Sequence, residues 1–306
     1  MITEPPDAGP KPQSPIWAAV ICYRADPKRI TQLTDTLCQQ VDRVLVIDND
    51  AAQSSLAALC VDQTLYVPMA CNRGTAAAMN CAWQMALKGN AEFLICFDQD
   101  SIVGTDLIAN LRAWWEILRN AGNRPGAVGP AWKDPRTGRV LKALRPAGWR
   151  RQRVNADTAA STEVDHLITS GCLVHRDTWL TAGPFDEDLF LDYVDIEWSL
   201  RARNCGYRFY VTRHAQMRHE IGDRVISIFG RSLWVHQPVR QYLLVRNHLL
   251  LWRRPYIRLS WKCRDAIQVA VKTALVLALS RPRWQRLGWI LRGLWDGLLG
   301  RSRPIM

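Results

Sequence analysis

The stretch that most constrains this chain is residues 91–101, Ala-Glu-Phe-Leu-Ile-Cys-Phe-Asp-Gln-Asp-Ser. The unbroken apolar run from Phe93 to Phe97 predicts a strand covered on both faces, as in a parallel sheet. It runs directly into Asp98 and Asp100. Residues i and i+2 of an extended chain project the same way, so both carboxylates can address one point. In open α/β sheets the carboxyl ends of strands face the ligand crevice. Two hard oxygen donors there suit Mg²⁺ or Mn²⁺, ions that complete their shells with water and substrate phosphates. The same residues are also compatible with a polar turn whose Asp side chains bond only backbone.

The sequence before this stretch alternates strand and helix. Strands are expected over 16–23, 43–47 and 64–67, the second ending in Asp48-Asn49-Asp50. Helices are expected over 27–40, with Ile30, Leu33 and Leu37 at helical spacing, and over 54–60. Asn72-Arg73-Gly74-Thr75 then opens an Ala-rich helix to about residue 87. Such alternation implies a parallel sheet with helices on both faces. No GxGxxG follows the first strand and no GxxxxGK[ST] occurs, which argues against a Rossmann dinucleotide site and a P-loop. Further on, a helix is expected over 105–120 with Thr105 as N-cap, and Leu107, Leu111, Trp114, Trp115 and Leu118 on its apolar side. A short strand at 127–130, an irregular or hairpin insertion at 134–165 and strand character over 166–175 follow. A helix over 195–204 ends at Gly206, and a strand covers 207–212.

The formal charge of +12 admits nucleic acid, an anionic membrane or a phosphate-rich ligand as partner. Its location decides among them. From Arg240 onward there are fourteen Arg or Lys and two acids, Asp265 and Asp296, interleaved with Trp and Leu. That mixture points to a membrane surface and away from nucleic acid. The apolar run at 266–279 is about fourteen residues, short of the roughly twenty needed to span a bilayer. An in-plane helix or one packed on the domain is expected. The nine cysteines are irregularly spaced without a CxxC pair, as in a reduced cytosolic protein. Residues 1–15 carry five prolines and no apolar core of a signal peptide, and read as a disordered lead-in. Residues 16–234 are expected to form the main domain and 235–306 a helical, basic, Trp-rich region.

The ordered set Asp48-Asn49, Asn72-Arg73-Gly74 with Ala76 and Asn80, Phe97-Asp98-Gln99-Asp100-Ser101, Gly183-Pro184-Phe185-Asp186-Glu187, Asp195-Ile196-Glu197, Arg201 and His219 resembles the family-2 glycosyltransferases of GT-A fold. Phe-Asp-Gln-Asp-Ser, Leu189-Phe190-Leu191-Asp192-Tyr193-Val194-Asp195 and Gly293-Leu294-Trp295-Asp296-Gly297-Leu298 resemble the rhamnosyltransferase branch. The likeness covers about residues 16–300. It implies an α/β GT-A domain with a mainly helical basic appendage. It implies an inverting, metal-dependent transfer of L-rhamnose from dTDP-L-rhamnose to a lipid-linked glycan or amphiphilic acceptor at the cytoplasmic face of the inner membrane. Mono- to di-rhamnolipid synthesis and another nucleotide sugar are the alternatives within the family. By the resemblance Asp48, Asn72, Arg73, Gly74, Asp98 and Gln99 bind the donor, and Asp100 and His219 hold Mg²⁺ or Mn²⁺. Asp195 is the general base, and Ser170, Gly171 and Asp192 lie on the acceptor side. Relatives often carry Glu immediately before the base, where this chain has Val194.

Each role is chemically sound. A carboxylate such as Asp48 can accept the N3–H of thymine or uracil, and a helix N-terminus after Asn72-Arg73-Gly74 suits a diphosphate. Asp195 could instead serve only as a helix N-cap. A nucleotidyltransferase would also use a parallel sheet with acidic metal ligands, but Tyr23-Arg24-Ala25-Asp26 lacks its glycine-rich signature. A non-catalytic basic binding protein would lose no turnover when Asp100 or Asp195 is neutralised.

Overall fold

The computed structural model describes residues 14–50, 56–59, 63–133, 140, 142–145, 152–156, 159–218, 224–228 and 231–302. The N-terminal half runs β1 (Ile16–Cys22), α1 (Pro27–Cys38), β2 (Arg43–Asp48), a 3₁₀ turn at Leu56–Leu59, β3 (Thr64–Pro68), α2 (Gly74–Lys88) and β4 (Phe93–Asp98). Then come β5 (Ile102–Val103), α3 (Leu107–Asn120), β6 (Pro125–Lys133), β7 (Lys142–Arg145), β8 (Gln152–Asn155) and β9 (Ser161–Val164). β10 (Cys172–His175), α4 (Arg176–Ala182), α5 (Val194–Asn204), β11 (Arg208–Arg218), β12 (Arg224–Ile228) and β13 (Arg231–Val235) complete the α/β part. Three helices close the chain: α6 (Pro238–Trp252), α7 (Leu259–Leu279) and α8 (Arg283–Leu299).

The main sheet has the order β3-β2-β1-β4-β10-β6-β11-β5, with β9 also on β11. The first four strands are parallel, as the alternation predicts. Beyond β4 the sheet is mixed, because β10 runs antiparallel to both β4 and β6. This reversal matters for the site. An antiparallel strand starts where its neighbour ends, so Ser170-Gly171, just before β10, lies at the carboxyl end of β4. There Gly171 N–H donates to the Cys96 carbonyl at 2.7 Å.

Side-chain alternation along β1 explains the layers. Trp17, Ala19 and Ile21 join one apolar cluster with the alanine face of α2, whereas Ala18, Val20 and Cys22 join another with α1 and α3. Small side chains on α2 let it approach the sheet closely. The eight described cysteines are free thiols, with Cys22, Cys96 and Cys172 buried.

Several boundaries differ from the sequence expectation. Thr105 does not cap α3. The helix begins at Leu107, and Gln40 Oε1 accepts the Ile108 N–H at 3.2 Å, a cap supplied from the turn that follows α1. β6 and β11 are longer than expected because they pair with each other, and a register shift between Thr212 and Gln216 lets β11 continue. Within the insertion, β7 and β8 form a hairpin. The C-terminal helices share the first apolar cluster through Leu250, Trp261, Val269 and Ile290. α7 has 21 residues and contains Lys262, Arg264, Asp265 and Lys272. Among the described residues no helix is long and apolar enough to cross a membrane. The Gly-Leu-Trp-Asp-Gly-Leu segment is a helix–helix contact. A Cβ at Gly293 would lie 2.7 Å from the Tyr242 carbonyl oxygen, and one at Gly297 2.8 Å from Leu249. Between them, Asp296 accepts the Tyr242 hydroxyl at 3.0 Å.

Candidate active site

A cleft of about 750 Å³ opens at the carboxyl end of β4. Asp98, Gln99 and Asp100 form one wall, Leu191 to Asp195 another, and Thr169 and Ser170 the base between them. Thr75 and Met79 of α2, and His236 and Arg240 from the start of α6, close the sides.

The β4 end is braced from below. The Asp98 N–H donates to Ser170 Oγ at 3.0 Å, and Ser170 and Ser101 share a hydroxyl–hydroxyl bond of 3.0 Å. Ser170, 3% exposed, therefore fixes the Asp-Gln-Asp turn more than it meets a ligand. Gln99 Oε1 accepts the Tyr23 N–H at 2.7 Å, tying this turn to the end of β1. Asp98 and Asp100 both line the cleft, although β4 ends at Asp98 and Asp100 lies in the following turn, which the Ser101 N–H closes on the Asp98 carbonyl at 3.1 Å, so the turn and not extended-strand spacing brings the second carboxylate there. Among the described residues no group of three or more His, Cys, Asp or Glu converges as a closed metal site. Two carboxylates facing an open, polar cleft fit a hard divalent ion that takes its other ligands from water and phosphate. His219 lies outside the described residues.

Asp195 faces the same space from the first turn of α5. Burial pushes its carboxyl up to about 6, the Ile196 N–H at 2.8 Å opposes that rise, and the negative charges of Asp192 and Asp98 add to it. It is thus mostly ionised at neutral pH yet near enough to its pKa to take a proton. Asp192 instead faces Arg240, whose Nε and Nη2 reach its carboxylate at 3.1 and 3.0 Å. Glu197 is buried and paired with Arg201 at 2.8 Å. Arg201 also donates to the carbonyls of Ala182 and Pro184, so this acid–base pair anchors α5 on the Gly183-Pro184 turn. Asn80 holds the next part of that turn through both Phe185 backbone groups and Glu187.

The wall that carries Asp192 and Asp195 is conformationally strained. Phe190 and Tyr193 have φ of 64° and 71°, which L side chains rarely adopt. Contacts from α6 and α7 hold them. Asn247 Nδ2 donates to the carbonyls of Leu189 and Asp192, each at 2.7 Å, and Arg246 donates to that of Asp188 at 2.8 Å. The Tyr193 hydroxyl donates to Asp265 Oδ2 at 2.8 Å. Trp252 Nε1–H can only donate, and it does so to His248 Nε2 at 3.0 Å. His248 in its neutral form therefore carries its proton on Nδ1 and donates it to Asp265 Oδ2 at 2.6 Å.

The other residues expected at the donor lie beyond the lining of this cleft. Asp48 is 1% exposed and accepts the Tyr66 hydroxyl at 2.8 Å and the Asp50 N–H at 3.3 Å. Asn72 Oδ1 accepts Asn49 Nδ2 and the Gly74 N–H, each at 3.0 Å. Arg73 pairs with Glu187 at 3.0 Å, both side chains well exposed. Gly74 has φ +84° and packs so closely on Phe190 that a Cβ would lie 2.4 Å from its carbonyl oxygen. That carbonyl accepts the Thr75 hydroxyl at 3.2 Å and the Ala76 N–H at 3.4 Å. The first turn of α2 is thus directed at the 187–190 segment, and Thr75 and Met79 are its contributions to the cleft.

Sequence reasoning missed Arg240, His236 and the Asn247–His248–Asp265 support. The available signal was the polar run Arg246-Asn247-His248 inside an apolar helix, where all three are buried. Such residues are retained inside only when bonded.

A parallel core sheet continued by an antiparallel strand, with paired carboxylates after its central strand and a carboxylate opposite, is consistent with a GT-A glycosyltransferase fold. Comparison with known proteins agrees. The family model for Glycosyl transferase family 2 matches residues 17–177, and the chain belongs to that family. It is 27% identical over 290 residues to dTDP-rhamnosyl transferase RfbF of Shigella flexneri, covering 94% of this chain and 96% of that one. Among solved structures it is similar to GalNAc-T7 with UDP, GalNAc and Mn²⁺, at TM-score 0.56, 11% identity and 89% coverage of this chain. It is also similar to S. aureus TarS, at TM-score 0.57, 14% identity and 95% coverage. The chain spans 59% and 49% of those two proteins, respectively.

Proposed function

We propose that the protein is an inverting rhamnosyltransferase that moves L-rhamnose from dTDP-L-rhamnose to a hydroxyl of a lipid-linked glycan or glycolipid, as in O-antigen or polysaccharide assembly. The observation that carries the reaction type is Asp195, its carboxyl raised to about 6, across one cleft from Asp98 and Asp100. The relative that covers nearly the whole chain is a dTDP-rhamnosyl transferase, which supports the donor.

In this reading the acceptor hydroxyl binds between Asp195 and the sugar. Asp195 Oδ1 is oriented by the Ile196 N–H, and in this reading its carboxylate accepts the hydroxyl proton. The acceptor oxygen bonds to the anomeric carbon as the bond to the nucleoside diphosphate breaks. With one base and no covalent intermediate, the configuration inverts. Asp100, with Asp98 beside it and His219, would hold Mg²⁺ or Mn²⁺, which supplies charge neutralisation for the departing diphosphate. Asp48 and the Asn72-Arg73-Gly74 turn would bind the nucleotide, which requires the 187–190 segment to share or yield its contacts there. Ser170 and Gly171 support the acceptor side, and Arg240 fixes Asp192. The basic, Trp-bearing C-terminal region supports placement at the cytoplasmic face of the inner membrane.

The test is donor binding and turnover with dTDP-rhamnose, UDP-glucose and GDP-mannose, each with Mg²⁺, Mn²⁺ or EDTA. Metal-dependent preference for dTDP-rhamnose, with turnover lost and nucleotide binding kept in Asp195→Asn, is expected. Preference for another sugar nucleotide would overturn the donor, and equal turnover in EDTA would overturn the metal.

A further inference from the structure

A helix on a protein surface normally buries its apolar stripe and shows water a polar face. α7 and α8 show apolar side chains on the outside as well. On α7, Ile267, Val271, Leu275 and Leu279 recur every fourth residue and are all exposed. Ala270, Ala274 and Ala278 lie between them, also exposed. The inward side of α7 is buried through Val269 and Val276. On α8, Trp284, Leu291, Trp295 and Leu298 fall on one side, with Trp284 85% and Trp295 62% exposed. The opposite side, Ile290, Gly293 and Gly297, packs on α6. Trp289 leaves this surface and turns towards Tyr242, with ring centroids 6.0 Å apart.

The charges around this surface have one sign. Arg281 and Arg283 are exposed beside it, whereas Arg292 turns back towards Asp296, 4.0 Å away, and the Tyr242 and Trp289 rings. The two acids of these helices, Asp265 and Asp296, are buried and accept tyrosine hydroxyls. A second copy docking through the same face would place these arginines against their own equivalents with no carboxylate to meet them. An anionic bilayer supplies both missing partners, acyl chains for the apolar stripe and phosphates for the arginines. Tryptophan at the boundary of the two suits the same environment. Because no described helix can cross a bilayer, the helices would lie in its plane.

We infer that the outward faces of α7 and α8 form a membrane-docking surface for anionic lipid, with Trp284 and Trp295 inserted and Arg281 and Arg283 on the headgroups. This rests on the membrane placement proposed above, but not on the identity of the sugar donor. α8 packs on α6, and α6 carries Arg240, Asn247 and His248 to the cleft wall, so docking face and active site belong to one packed unit.

The experiment is flotation of the full chain with vesicles of phosphatidylethanolamine and phosphatidylglycerol, and with phosphatidylcholine vesicles, at low and high salt. The wild type is expected to partition onto the anionic vesicles only. Trp284→Ser/Trp295→Ser should weaken this about ten-fold or more, and Arg281→Gln/Arg283→Gln about 25-fold, at roughly five-fold per arginine. Thermal unfolding of the tryptophan double variant should match the wild type, because both rings project outward, whereas the arginine double variant also loses the Arg283 bond to the Ala278 carbonyl at 2.7 Å and should unfold slightly earlier. Transfer to a water-soluble acceptor should also be unchanged, which separates failure of docking from failure of the sugar-transfer reading. Absence of flotation on anionic vesicles, or undiminished flotation of both variants, would overturn the inference. So would a wild-type dimer in sedimentation that Trp284→Ser/Trp295→Ser dissociates, which would assign the face to a second copy.

Discussion

Tyr193→Phe removes one oxygen atom and tests whether the C-terminal helices control the catalytic wall. The hydroxyl donates to buried Asp265 at 2.8 Å. A bond to a carboxylate contributes about 1.5–3 kcal/mol, and Asp265 would keep only its contact from His248. Against this stands the strain of Tyr193 at φ 71°, about 1–2 kcal/mol for a non-glycine residue. The two magnitudes are comparable, so without the hydroxyl the wall can relax towards ordinary backbone and carry Asp192 and Asp195 with it. The unfolding midpoint should fall by about 5 °C, from roughly 2 kcal/mol in a domain of this size. kcat for sugar transfer should fall about 10- to 100-fold through misplacement of Asp195, while KM for the donor changes little. The assay is steady-state transfer beside thermal unfolding, repeated in an Asp265→Ala background, where Tyr193→Phe should add nearly nothing. A lowered midpoint with unchanged kcat would refute the reasoning, since Tyr193 would then serve stability alone.

Asp195→Asn should abolish transfer yet stabilise the protein above about pH 6. The folded carboxyl holds its proton to higher pH than the unfolded one, so wild-type stability falls as pH rises from about 4 to 6, and the Asn variant should lack that slope in pH-dependent unfolding. The rate of transfer should rise over the same range with an apparent pKa of about 6. Ser170→Ala removes the bond from the Asp98 N–H to Ser170 Oγ and should cost about 1 kcal/mol, with weaker metal binding measured by titration calorimetry. Gly74→Ala should cost about 3 kcal/mol in denaturant unfolding, combining a positive φ with a Cβ placed against the Phe190 carbonyl.

The N-terminal sheet was legible because its code is local. Buried strands of five to seven residues, helices at 3.6-residue spacing and short links leave few ways to assemble β1 to β4. The Asp98/Asp100 pair was legible as two carboxylates one residue apart at a strand end, but the strand stops at Asp98 and a turn closed by Ser101, not extended geometry, carries Asp100 to the cleft. The cap of α3 was not, because Gln40 reaches it from the turn after α1, 68 residues earlier in the chain. The antiparallel β10 was not, because its direction depends on a return from a long insertion. The three tryptophans of α8 looked scattered in sequence, and packing against α6 separates inward Trp289 from outward Trp284 and Trp295.

By itself the sequence determined the α/β class, the two carboxylates after the central strand and the carboxylate near the start of α5 opposite them. Only the tertiary structure decided which side chains complete that site. Arg240 meets Asp192 across 48 residues, and Asp265 meets Tyr193 across 72. Hydrogen bonds between residues so far apart leave no periodicity in the chain. They exist because the helices that follow the α/β domain pack back upon it, sharing its apolar core and bonding the otherwise strained backbone of the cleft wall.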